Sequence, residues 1–237
     1  MIRGVAPEPS GASEFRLSLL TSPGERRDVE YKASVAFVPG EEFSLKLLKQ
    51  VEGMANGGGG AIVIGFAPDT AGLLSPDPSH SDEIAATYEP TELTKQANSV
   101  VAKGQQFRIT VYQVRHPSTD KCHPLISVGS FDRTPYVNRS QVSATDTGKL
   151  VLEEGAVYLR RSGAETSKVV TPGDWEELIT RAVANRRTEF LTEFRALVDT
   201  MLPLPLDATR ENVSSSRVQQ WEAQNRARLF RDEGSDR

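Results

Sequence analysis

Residues 61–66, Ala-Ile-Val-Ile-Gly-Phe, form a continuously apolar run that is β-branched at its centre and bounded by glycines. A run this short that never alternates with polar residues reads as a buried central strand. The chain must then supply cover for both faces of that strand. One cover lies immediately upstream. Residues 41–55 place Phe43, Leu47, Leu48, Val51, Met54 and Ala55 on one stripe at helical spacing. Glu41 and Glu42 sit in the first turn, where the helix dipole favours negative charge. Gly57 follows as a C′ residue, and Asn56-Gly57-Gly58-Gly59-Gly60 carries the chain from helix into strand.

The rest of the chain reads as alternating short elements. Residues 1–15 are rich in Pro, Gly and Ser and read as a loose arm. Residues 16–20 suit a short helix or strand, and Thr21-Ser22-Pro23-Gly24 a turn. Val29 to Ala33 is a strand with Val29 and Tyr31 on one face and Glu30 and Lys32 on the other. Ala67-Pro68-Asp69-Thr70 turns away from the central strand, residues 71–89 are loop-like, and Pro90 to Ala102 is a second helix. Strands are expected around Phe107–Val111, Leu125–Val128, Thr134–Asn138 and Ala156–Arg160. Asp174 to Leu202 is a long helix, bent or divided near Arg186-Arg187 and ended by Leu202-Pro203-Leu204-Pro205. The tail from 206 to 237 balances six basic against six acidic residues, the pattern of a solvated helix with a frayed end.

Composition narrows the class. With 237 residues the chain can bury a full core without staples. Cys122 stands alone, so no internal disulfide framework exists, and a reducing, cytoplasmic setting is expected. No apolar stretch is long enough to span a bilayer, and the first fifteen residues lack a signal-peptide core. A formal net charge of −4 argues against global adhesion to nucleic acid, though not against a local basic groove.

Four groups of residues carry chemical interest. Glu25, Glu30 and Asp69 would meet at one end of a sheet if strands 29–33 and 61–66 are neighbours. Converging carboxylates need a cation, and an all-oxygen set suits Mg²⁺ or Mn²⁺. Such a metal polarises a phosphoryl oxygen and generates hydroxide, with Lys32 neutralising the phosphate. The alternative is three ordinary surface carboxylates. The glycine run meets a helix C-terminus, the wrong dipole end for phosphate, and reads as a tight connection. His116, Cys122 and His123 fit no closed zinc site, and a loop cysteine without chemical role is the simpler reading. Arg133, Tyr136, Arg139, Tyr158, Arg160 and Arg161 combine phosphate-gripping forks with stacking rings, or form a solvated sheet edge with surface ion pairs.

Some of these segments resemble a known family. Glu25-Arg26-Arg27-Asp28-Val29-Glu30-Tyr31-Lys32 is similar to the E-S-x-x-L/V-E-F/Y-K opening of Schlafen-type AlbA_2 domains. Met54 to Gly60 followed by Ile62-Val63-Ile64-Gly65-Phe66 resembles their A-N-x-x-G-G strand entry. Asp69 stands where they often carry an acid, and Ala156 to Gly163 resembles their Y-x-R-x-G strand. The resemblance covers about residues 22–183. It implies an α+β domain, a mixed sheet flanked by helices, occupying 16–183, with a helical extension and polar tail over 184–237. It also implies a divalent-metal-dependent endoribonuclease acting on structured RNA such as tRNA. Glu25, Glu30 and Asp69 would hold the Mg²⁺ or Mn²⁺, with Lys32 beside them and Arg160 or Arg161 on phosphate. Arg26 departs from the usual small hydroxyl residue, and the zinc cluster of animal Schlafens is missing. A single copy of the domain stands where Schlafen cores pair two lobes, so a homodimer would rebuild the clamp. The other readings are a non-catalytic nucleic-acid-binding or scaffold module, and a subunit of a larger assembly with partner proteins.

Overall fold

A computed structural model describes residues 10–161 and 165–201. The chain divides into two compact units, Met1–Arg187 and Thr188–Arg237. The elements are α1 (Ser10–Thr21), β1 (Val29–Lys32), α2 (Glu42–Asn56), β2 (Gly60–Ile64), β3 (Phe66–Pro68), β4 (Leu74–Pro76), α3 (Asp82–Ala86), α4 (Pro90–Val100), β5 (Ile109–Arg115), β6 (Cys122–Val128), β7 (Val142–Ser143), β8 (Leu150–Leu152), β9 (Tyr158–Arg160), β10 (Thr166–Lys168) and α5 (Pro172–Met201). Residues 1–9 of the expected arm, Ser162 and Gly163 of the last motif, the 202–205 helix stop and the 206–237 tail lie outside the described residues. No described helix is long and apolar enough to cross a membrane.

The main sheet runs β1-β2-β6-β5. β1 is parallel to β2, and β6 is antiparallel to both β2 and β5. The mixed sheet and its flanking helices make the fold α+β. β2 is central, and its alternation feeds two cores. Ile62 and Ile64 join the stripe of α2 and residues of α4 and β9 on one face. Ala61 and Val63 join Val29, Tyr31 and the end of α1 on the other. Burial on both faces is why residues 61–66 never alternate with polar residues.

Several expectations are corrected. Residues 10–15 are helical rather than loose, because α1 is anchored at its far end. Leu19 and Leu20 are buried against the sheet, and Tyr31 Oη donates to the Leu19 carbonyl at 2.8 Å. The segment 71–89 contains β4 and α3. Residues 134–138 form no strand; Asn138 makes a lone bridge to Val101, and Pro135 has no N–H to offer a ladder. α5 is not broken at Arg186-Arg187, although the boundary between the two compact units falls directly after Arg187.

Candidate nucleic-acid interface

The three carboxylates do not come together. Glu25 is exposed on the turn before β1, which the antiparallel Arg26–Val29 bridge folds back alongside that strand; Asp69 follows β3, beyond the C-terminal end of β2. Asp69 also has another task. Its Oδ1 accepts from the backbone N–H of Ala71 at 2.8 Å and of Leu73 at 2.9 Å, closing the β3–β4 hairpin.

Glu30 sits mid-strand with only 5% of its surface exposed. Its carboxylate contacts Lys32 Nζ and takes Arg160 Nη2 at 2.5 Å. Arg160 is fully buried. Its Nε donates to the Arg27 carbonyl at 2.9 Å, and its Nη2 reaches the carbonyls of Arg26 at 3.1 Å and Val29 at 3.2 Å. This guanidinium therefore fastens the loop before β1 to β9 and has no surface to offer a phosphate. Among the described residues, no group of three or more His, Cys, Asp or Glu is placed to hold a metal ion. The set expected for Mg²⁺ or Mn²⁺ does not fit one.

The basic and aromatic set separates in the same way. Tyr158 is buried, and its Oη accepts from Glu153 N–H at 3.1 Å. Tyr136 is 6% exposed, packs against Phe107 at 4.2 Å between ring centroids, and donates to the Gln106 carbonyl. Asn56 at the end of α2 pins both segments: its Nδ2 donates to the carbonyls of Tyr136 and Tyr158, and its Oδ1 accepts from Tyr136 N–H. Neither ring is open to stack on a base. Arg161 pairs with Asp174 at 2.9 Å. Arg133 and Arg139 are exposed.

Arg133 and the edge of Tyr136 line a cavity of about 490 Å³ together with Arg108, Gln105, Gln106 and Thr134. Arg108 and Gln105 were not expected from the sequence. Arg108 pairs with the exposed Asp132 at 2.9 Å and donates to the Ser130 carbonyl at 2.6 Å. Exposed Lys103 and Arg139 lie on the segments next to the groove lining, which Ala102 N–H to the Val137 carbonyl and Arg139 N–H to that of Val100 hold together. The signal in the sequence was a polar, basic-ended stretch from Lys103 to Arg108, between a helix and a strand. Its partner, 131–136, is distant in sequence, so the groove could not be assembled from spacing.

All three histidines of the chain gather beside Phe66. His80 stacks on His123 with centroids 4.3 Å apart, and His116 lies 5.8 Å from His123. Hydrogen bonding assigns their tautomers. His80 Nε2–H donates to the Cys122 carbonyl, which leaves Nδ1 to accept the Ser34 hydroxyl, both at 2.8 Å. His116 Nδ1 accepts from the N–H groups of Ser118 and Thr119. His123 Nδ1–H donates to the Ile64 carbonyl at 3.0 Å, and its buried Nε2 has no partner among the described residues. Burial first, then the neighbouring imidazoles, pushes the His123 pKa down from 6.5 to about 4. Gly65 makes room for this cluster: its φ is +91°, and a Cβ there would lie 2.6 Å from His80 Nδ1. Cys122 is on β6 rather than in a loop.

No protein-family model and no curated protein matches the chain. Among solved structures, the N-terminal domain of an ATP-dependent DNA helicase RecG-related protein from Nitrosomonas europaea is similar over 67% of this chain and 94% of its own length. The identity is 20% and the TM-score 0.36. A likeness of that size assigns neither family nor activity to this chain.

Proposed function

We propose that the chain is a nucleic-acid-binding module, with RNA as the favoured ligand, and that phosphates lie in the groove lined by Arg108 and Arg133. The observation that supports it is the groove itself. Two guanidinium groups, two side-chain amides and a hydroxyl line it, Lys103 and Arg139 are exposed on the adjoining segments, and Asp132 is the one acid among its described lining residues. Arginine forks match phosphate geometry. The Arg108–Asp132 pair is exposed and weak in water, so a phosphate displaces the carboxylate at little cost. Cleavage is not part of the proposal, because Glu30 and Asp69 are engaged elsewhere and no metal-holding group of three stands among the described residues.

The test is binding of labelled tRNA and single-stranded oligonucleotides across a salt series, with EDTA, Mg²⁺ or Mn²⁺. Affinity should fall linearly on a logarithmic salt scale. Arg133→Ala and Arg108→Ala should each flatten that slope by about one. Affinity indifferent to salt and to both substitutions would overturn the groove. Metal-dependent cleavage abolished by Asp69→Asn in a folded protein would restore the hydrolase reading.

A further inference from the structure

A second cavity, of about 350 Å³, lies between α1 and the sheet. Arg16 and Tyr112 line it, with the guanidinium 4.1 Å from the centre of the tyrosine ring. Asp28, Ser127 and Ser130 also line it, and Ser130 Oγ is buried without a hydrogen-bond partner among the described residues. Gly58, Gly59, Gly60 and Gly129 give it a wall of bare backbone. Glycine is required at position 59, where φ is +89° and a Cβ would lie 2.7 Å from the Val128 carbonyl. The two cavities share a partition. Arg108, which lines the groove, donates to the Ser130 carbonyl and accepts from Gly129 N–H at 2.8 Å.

We infer that this cavity receives one unpaired nucleobase of a strand whose phosphates lie in the basic groove; the inference rests on the nucleic-acid reading above. A base is planar, with polar edges and apolar faces. The Arg16–Tyr112 stack supplies a flat cationic and aromatic platform of the kind on which splayed bases stack. The Ser130 hydroxyl, otherwise unsatisfied, gains a partner on the base edge. The Asp28 carboxylate accepts only, so it favours a base edge that presents N–H groups. The volume lies at the small end for ligand sites, which suits a single base with its sugar. A fully paired duplex keeps its bases stacked and engages the groove alone.

The measurement uses the full chain and a single-stranded oligonucleotide carrying one 2-aminopurine, beside a blunt duplex of equal length. The wild type should bind the single strand more tightly than the duplex and change the 2-aminopurine emission. Tyr112→Leu should lose about tenfold on the single strand and nothing on the duplex, whereas Tyr112→Phe should retain single-strand binding. Ser130→Val, which removes a hydroxyl that bonds nothing among the described residues, tests the same pocket if Tyr112→Leu does not fold; a several-fold loss confined to the single strand is expected. Folded Tyr112→Leu or Ser130→Val protein with wild-type affinity for both ligands would overturn the pocket and leave the groove standing. Arg133→Ala without effect on either ligand would overturn the groove reading itself.

Discussion

A guanidinium cut off from solvent has to find its acceptors inside, and Arg160 finds them on the three carbonyls before and within β1 and on Glu30. Glu30 in turn is buried with two cations against it. Removing either side of such a pair leaves an uncompensated charge in the interior, at a cost of about 3–5 kcal/mol. Glu30→Ala should therefore lower the denaturant midpoint strongly, with or without metal. A midpoint equal to wild type would return Glu30 to the list of surface functional groups. In the sequence Glu30 and Arg160 both fall in motif-like segments. The sequence did not show that they meet each other. Position 160 is 130 residues away, and nothing local distinguishes an arginine that grips phosphate from one that grips backbone.

At the scale of elements, the parts legible in advance were those with a repeated signal. α2 shows helical spacing over four turns, and β2 is an unbroken apolar run. The short strands β3, β4, β7 and β8 have two or three residues each, too few for any period to show. Their geometry comes from turns. In the β3–β4 hairpin that turn depends on the Asp69 carboxylate, which accepts two N–H groups. Asp69→Ala should cost about 1–2 kcal/mol. Amide exchange at Ala71 and Leu73 should quicken, while the remaining sheet amides keep their protection. Unchanged exchange at both positions would show that the carboxylate does not hold the turn. The candidate site was less legible than the fold for a related reason. The expected metal cluster assumed that adjacent strands bring their flanking loops to one end. In the fold Glu30 is taken by Arg160 and Lys32, and Asp69 by the N–H groups of its own turn, commitments that spacing does not reveal.

The whole molecule carries two buried titratable groups whose effects on stability oppose each other. His123 titrates near 4 when folded and 6.5 when unfolded. Its contribution is complete above pH 6.5 and is lost as pH falls toward 4. Glu52 is buried, and burial outweighs the Tyr158 N–H bond to push its carboxyl from 4.5 up to about 8. The folded state holds that proton after the unfolded chain has released it, so stability falls as pH rises from 4.5 to 8. Each slope approaches about 1.4 kcal/mol per pH unit. Between pH 4.5 and 6.5 the two nearly cancel; above 6.5 only the fall remains. Urea melts of Glu52→Gln should show a rise to pH 6.5 and then a plateau. Melts of His123→Asn should show a steady fall from 4.5 to 8. Parallel profiles for both variants and wild type would mean that neither group titrates as its surroundings dictate.

The Arg160 clasp also sets an order of assembly. Lys32 follows Glu30 within the same strand, but the second cation, and the one that also binds the carbonyls before β1, arrives about 130 residues later. At ribosomal speeds of roughly 5–20 residues per second, the nascent chain waits several seconds with that edge of the sheet unfinished. A pause or a truncation between β6 and β9 would leave a chain with its central strands formed and its first strand without the arginine clasp. Chaperones would be expected to find it in that interval.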